Sequence, residues 1–291
     1  MHKALAAYLQ LTKPRIMLLI CFAGITALVM EQSLLNQPGF FLLALIALYF
    51  TGGAANALNH YFERDKDAKM TRTAAKRPLP SGRLDATKAL VFAVVLGMAG
   101  IAIFVLFFNL LSAALALATL LFYSLIYTLI LKPNTVYNTL IGGLAGATAP
   151  LGTWAAASGE LAVPPVLLFL VIFIWSPPHF YALALLYKDD YRRANLKMMP
   201  LNQSSQLATR RIVAYSILLA FTSYTFLLIN YGFTYFILAS IANIAFIMTA
   251  LHAHRTQSTR HIQAVFSISI LYLFILMTGL ILDSIKTIPI I

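Results

Sequence analysis

Apolar stretches of about 20 residues, the length that crosses the hydrocarbon core of a bilayer, recur along this chain. Nine are readable, at 14–30, 38–62, 88–108, 112–131, 137–157, 163–187, 211–230, 233–252 and 263–282. A segment in lipid has to satisfy its own backbone hydrogen bonds, so such stretches fold as helices. The expected fold class is therefore all-α: one polytopic transmembrane helical bundle, a single domain over residues 1–291.

Charge placement orients the bundle. All but Lys286 of the 21 Lys and Arg residues lie on the N-terminal tail or around the connections that follow spans 2, 4, 6 and 8. The alternate connections, near 31–38, 109–111, 158–162 and 230–232, carry none. Cytoplasmic connections are the ones enriched in Lys and Arg, so nine spans put the N-terminus in the cytoplasm and the C-terminus outside. Only 10% of the residues are charged, against about 25% in soluble domains. The net charge of +12 is then an orientation signal and implies no nucleic acid. A lone cysteine, Cys21, excludes a disulfide framework and a cysteine-based metal site. The first apolar run opens on Lys13-Pro14-Arg15 and lacks a small-x-small cleavage site, so it does not read as a leader.

Two inner connections, about 63–87 and 188–210, are long, and long loops in compact proteins tend to be functional. They hold Glu63, Asp65, Asp67, Asp85, Asp189 and Asp190, most of the acidic residues of the chain. Each begins where an even-numbered span ends, which suggests two halves serving one pocket on the cytoplasmic side. In the first, Asn59, Glu63 and Asp67 stand four residues apart. At helical pitch they share an arc of about 80°, with rungs roughly 6 Å apart. Asn56 lies in the same arc and Asp65 points away; His60, about 100° off, lines the edge. Such oxygens suit a hard cation and its diphosphate, although solvated charges at a helix end have the same look. The second cluster, Lys188-Asp189-Asp190-Tyr191-Arg192-Arg193, either balances its own arginines or completes a Mg²⁺ site with the first. Arg and Lys side chains nearby would clamp phosphate oxygens.

Trp175-Ser176-Pro177-Pro178-His179-Phe180 places two prolines and a histidine inside span 6. His179 precedes Asp190 by eleven residues and shares its helix face, about 16 Å deeper. It is either a hydrogen-bonded packing residue or a contact to a large ligand. Span 5 opens on Asn138 and runs through Gly142, Gly143, Gly146 and Pro150, small residues that permit close packing or leave room for a flat ligand. Tyr123, Tyr127 and Lys132 approach the inner face from span 4, and Lys132 is placed to reach a phosphate. His252, His254 and His261 surround the last inner loop and read as solvated. No P-loop, dinucleotide fingerprint, zinc motif or hydrolase elbow occurs.

The ladder, continued by Arg72-Thr73 and Arg77-Pro78-Leu79-Pro80-Ser81-Gly82, resembles the first motif of the intramembrane prenyltransferase superfamily of the UbiA type. Glu63 at the middle rung, Leu11-Thr12-Lys13-Pro14-Arg15-Ile16, the stretch from Asn138 to Pro150, Pro177-Pro178-His179-Phe180 and the block from Lys188 to Pro200 are similar to its haem branch. Two departures stand out. Asp190 is followed four residues on by Ala194, and Asp189 by Arg193, where the superfamily has paired aspartates; which aspartate meets the metal stays open. Ala149-Pro150 replaces the two prolines common in the haem branch.

The resemblance implies transfer of a farnesyl group from farnesyl diphosphate to a vinyl group of haem b, with hydration. It implies Mg²⁺ on Asn59, Glu63, Asp67 and Asp189 or Asp190, with Arg72, Arg77, Lys132, Lys188, Tyr127, Asn138 and His179 binding substrates. Haem b is then a substrate, the loop at 63–87 a lid, and a haem-delivery or haem-modifying protein a partner. The location implied is the bacterial cytoplasmic membrane, embedded in lipid, with the site on the cytoplasmic side. The competing readings are a quinone-pathway aromatic prenyltransferase, which lacks Glu63 and the His179 block, and a secondary transporter of an anionic lipid, which has no use for two acidic clusters. An assembly subunit of a respiratory oxidase needs no acidic ladder at all.

Overall fold

The computed structural model describes residues 2–197, 199 and 203–286, and every described regular element is helical. An N-terminal helix α1 (His2–Leu11) precedes α2 (Pro14–Glu31) and the long α3 (Pro38–Asp67). A short α4 (Thr71–Ala74) lies in the loop before α5 (Ala86–Phe107). Next, α6 (Leu110–Leu121) runs into a π-helical stretch, Phe122–Leu131, and the single turn α7 (Lys132–Asn134). The stretch expected as span 5 is two helices, α8 (Asn138–Ala147) and α9 (Ala149–Ser158). Then come α10 (Val163–Leu186), α11 (Lys188–Arg193), α12 (Ser205–Tyr224, with a 3₁₀ extension Thr225–Ile229), α13 (Phe233–Thr256) and α14 (Thr259–Lys286). Among the described residues, 8 helical segments are long and apolar enough to span a membrane. The fifth expected span is not among them: it is broken at Thr148 into two ten-residue helices, with Pro150 in the first turn of α9. Pro200 and the C-terminal Ile291 lie outside the described residues.

The helices close a ring in which α14 returns against α2, and α9 touches α2, α3, α6 and α10 within it. The two halves of span 5 pack differently: α9 lies mainly against α2 and α6, whereas α8 packs mainly on α10 and the π-helical stretch. Large apolar side chains such as Leu106, Phe221, Leu228 and Phe233 face outward, as lipid requires. The side formed by α10, α12, α13 and α14 is packed solid around Leu168, Leu219, Phe226, Tyr235, Phe246, Tyr272 and Leu276. The side formed by α3, α5 and α6 has only small apolar clusters, joined by close backbone approach. At Gly100 a Cβ would meet Thr51 N at 2.9 Å and Ala47 O at 3.0 Å, so α5 lies nearly on the backbone of α3. Within α10, Pro177 and Pro178 remove two N–H donors without ending the helix, and the hydroxyl of Ser176 donates to Ile172 O (2.9 Å) one turn back.

Candidate active site

Helix α3 continues unbroken past the apolar stretch to Asp67, so the spacing of the ladder becomes geometry. Asn59, Glu63 and Asp67 are 2%, 4% and 0% exposed, whereas the carboxylate of Asp65 points out beside Arg64. Each rung meets a different cation. Lys13 Nζ donates to Asn59 Oδ1 (2.8 Å), Lys132 Nζ pairs with Glu63 Oε1 (2.5 Å), and Arg77 Nη1 pairs with Asp67 Oδ2. Asp67 Oδ1 is buried with no hydrogen-bond partner. A buried carboxylate oxygen left bare is costly unless something cationic reaches it. Asn56, expected in the same arc, instead ties down the start of α2 by donating to Thr12 O (3.2 Å). His60 is buried with its Nδ1 unpartnered.

The cations come from three places. Lys13 occupies the left-handed region (φ 53°) immediately before Pro14, a conformation that costs about 1–3 kcal/mol for an ordinary residue. Burial, reinforced by Arg77, pulls its ammonium down to about 7. Lys132 opens α7 directly after the π-helical stretch, and Arg77 stands in the loop after α4. Lys132 was expected to face a phosphate; here Glu63 holds it. Tyr127, on the same stretch, stacks on Tyr123 (5.3 Å), and a Cβ at Gly142 would collide with its ring. Gly143 has Ser176 Cβ 2.8 Å from the equivalent position, so these two glycines serve close packing.

The second acidic cluster is bonded differently. Asp190 accepts from the backbone N–H groups of Thr71 (3.2 Å) and Arg72 (3.0 Å) and from Arg193 Nη2 (2.9 Å). Burial pushes its carboxyl up, but the two N–H groups and Arg193 together hold it below the usual range. Asp190 thereby clamps the 71–72 turn, and the Arg72 guanidinium lies over the Tyr187 and Tyr191 rings at 5.0 and 5.7 Å with its Nε buried and unpartnered. Asp189 is exposed, and no contact among the described residues joins it or Lys188 to the ladder. Asn138, expected on substrate, donates to Thr135 O (2.7 Å), Lys132 O (3.3 Å) and Lys197 O, so it holds the Lys132 turn to the loop after α11.

His179 is 9% exposed and sandwiched between Trp175 (4.4 Å) and Phe266 (4.7 Å). Its Nδ1 is 2.7 Å from Ser269 Oγ, and Trp175 Nε1 donates to Ser269 O (2.6 Å). The ring is therefore fixed in orientation through Nδ1, and no hydrogen bond to Nε2 is present among the described residues.

Among the described residues no three His, Cys, Asp or Glu side chains gather into a metal cage. That suits Mg²⁺, which is held by one or two carboxylates and completes its shell with phosphate and water. Bare Asp67 Oδ1, with Glu63 one turn and the amide oxygen of Asn59 two turns back along α3, belongs to an all-oxygen row of donors of that kind. The sequence reading missed Lys13 and Thr128 as members of the site. Lysine before proline at the mouth of a span was a usable signal for the first; none marked the second.

A ring of membrane helices around such a set defines an intramembrane transferase, and the chain belongs to the UbiA prenyltransferase family, whose model matches residues 17–277. It is 39% identical over 283 residues to the protoheme IX farnesyltransferase of Microcystis aeruginosa, covering 96% of this chain and 89% of that one. Two solved structures share the fold. A digeranylgeranylglyceryl phosphate synthase superposes with TM-score 0.80 at 20% identity, over 98% of this chain and 100% of the other. A UbiA homologue from Archaeoglobus fulgidus, bound to DMAPP and Mg²⁺, superposes with TM-score 0.66 at 14% identity, over 94% and 99%.

Proposed function

We propose that the protein transfers the farnesyl group of farnesyl diphosphate to a vinyl carbon of haem b, releasing diphosphate. Carbon–oxygen cleavage gives an allylic cation, which the vinyl terminus captures. Water then adds to the adjoining carbon and loses a proton, leaving the hydroxyethylfarnesyl group of haem O. The observation that carries this reading is the ladder itself: three buried oxygen-bearing rungs, each facing a cation, with Asp67 Oδ1 bare.

The residues present fit Mg²⁺ on Asn59, Glu63 and Asp67, where it would neutralise charge growing on the leaving diphosphate. The protein's own cations are already at the rungs. Lys13, Lys132 and Arg77 are placed to move from the rungs to phosphate oxygens when the diphosphate arrives, and Arg72 offers its unpartnered Nε to the same group. An apolar, water-poor interior protects the cation until the vinyl group reaches it. The A. fulgidus homologue bound to DMAPP and Mg²⁺ supports metal-dependent transfer here. His179 Nε2, on a ring locked by Ser269, is the contact we assign to haem, as iron ligand or polar partner. The basic connections support placing the site on the cytoplasmic side of a bacterial cytoplasmic membrane.

The test is release of diphosphate by purified protein in detergent, with Mg²⁺ and farnesyl diphosphate, with and without haem b. Haem-dependent release with formation of haem O is expected. Release that requires an aromatic acid in place of haem would replace the proposal with the quinone-pathway reaction.

A further inference from the structure

We infer that Thr128 is a positioning residue that sets which atom of Asn59 faces the cation site. This rests on the reading of Asn59 as a ligand. The amide carries an oxygen on one side and an NH₂ on the other, and only its neighbours decide which way it points. Lys13 Nζ, which as an ammonium can only donate, donates to the oxygen. Thr128 Oγ1 lies 3.2 Å from Nδ2 and accepts from it.

A hydroxyl can act either way, so the direction of that second bond needs a cause. The π-helical stretch Phe122–Leu131 supplies it. In such a helix the carbonyl five residues back lies within reach. Thr128 Oγ1 donates to Tyr123 O at 2.7 Å, and its one proton is thereby engaged. Thr128 is 2% exposed, so no solvent competes for the remaining lone pairs. The hydroxyl presents only acceptor character to Asn59, and the amide is held with Nδ2 toward Thr128 and Oδ1 toward Lys13. In an α-helical version of this stretch the hydroxyl would donate four residues back, to Ser124 O, as Thr119 does to Leu115 O, and its direction relative to Asn59 would change.

The experiment titrates Mn²⁺, as a reporter for Mg²⁺, into purified protein with inorganic diphosphate and follows free Mn²⁺ by paramagnetic resonance. Outer-shell partners of metal ligands typically carry 10–100-fold in affinity. Thr128→Val is expected to weaken Mn²⁺ by about 10-fold, Thr128→Ser to stay within about twofold, and Asn59→Ala to lose at least as much as Thr128→Val. In the Asn59→Ala background Thr128→Val should add nothing, because its effect runs through that amide. Equal losses in Thr128→Val and Thr128→Ser would make Thr128 a packing residue and overturn the inference. So would wild-type affinity in Thr128→Val when Asn59→Ala has lost it. Wild-type affinity in Asn59→Ala would instead remove Asn59 from the metal and leave the orientation of its amide without consequence. If Thr128→Val does not fold, Thr128→Ala takes its place under the same outcomes.

Discussion

The two acidic clusters look alike in sequence and have been put to different use. On α3 the carboxylates of Glu63 and Asp67 face inward from a continuous helix and meet side-chain cations, with one oxygen left bare. On α11 the carboxylate of Asp190 meets backbone, and both of its oxygens are occupied by N–H donors. Side-chain cations can swing to another anion; backbone N–H groups cannot leave their turn. The first cluster is therefore exchangeable, and the second fixes a loop.

The sharpest way to break this contrast is to neutralise each site. Glu63→Gln or Asp67→Asn should lower turnover by about 10³-fold, since each removes charge directed at the leaving group. Asp65→Asn should stay within about twofold, and steady-state assays on the three variants settle the ordering. Equal damage from Asp65→Asn would mean the helical face does not define the site. Next in size, His179→Ala should weaken haem binding about tenfold, read from the haem absorbance shift. Farnesyl diphosphate affinity, read by calorimetry, should stay unchanged; haem binding at wild-type strength would leave His179 as packing between Trp175 and Phe266.

Asp190→Asn should act through the turn that carries Arg72. We expect KM for farnesyl diphosphate to rise about tenfold, the low end of the cost of one lost charged hydrogen bond, while Mn²⁺ affinity holds. Loss of Mn²⁺ affinity would place Asp190 on the metal after all, and Asp189→Asn, at an exposed position, should change neither quantity. The smallest effect concerns Lys13, which holds its proton in the free protein only below about pH 7. A diphosphate beside it favours the ammonium form. Binding at pH 8 should therefore take up as much as about one proton, and at pH 6 distinctly less. Calorimetry in buffers of different ionisation enthalpy measures this, and Lys13→Met should abolish the difference.

Much of this was legible because α3 obeys a simple rule. A straight α-helix from Pro38 to Asp67 turns four-residue spacing into a shared face, so Asn59, Glu63 and Asp67 came out together and Asp65 apart. The reading weakened wherever tertiary packing overrode local geometry. Asn56 has the right phase but is engaged with Thr12 O. Asn138 looked like a ligand contact because nothing in sequence distinguishes a buried amide holding a turn from one facing a cavity. Span 5 was long and apolar enough for one helix, yet it breaks at Thr148 and its two halves pack on different neighbours. The π-helical phase of Tyr127, Thr128 and Lys132 lies beyond any reading at 100° per residue.

That phase also bears on which length changes the chain can tolerate. A π-helical stretch has a residue more than the α-helix that could replace it, and the α form is the lower-energy backbone. Deleting one residue between Phe122 and Ser124 would let the segment relax into that form and leave both flanking helices nearly in place. The resulting protein should melt at a higher temperature. It would also turn Thr128, inside the relaxed stretch, away from Asn59, and so exchange catalysis for stability. In this part of the molecule the surplus residue belongs to the function, and a variant selected for thermal robustness alone would discard it.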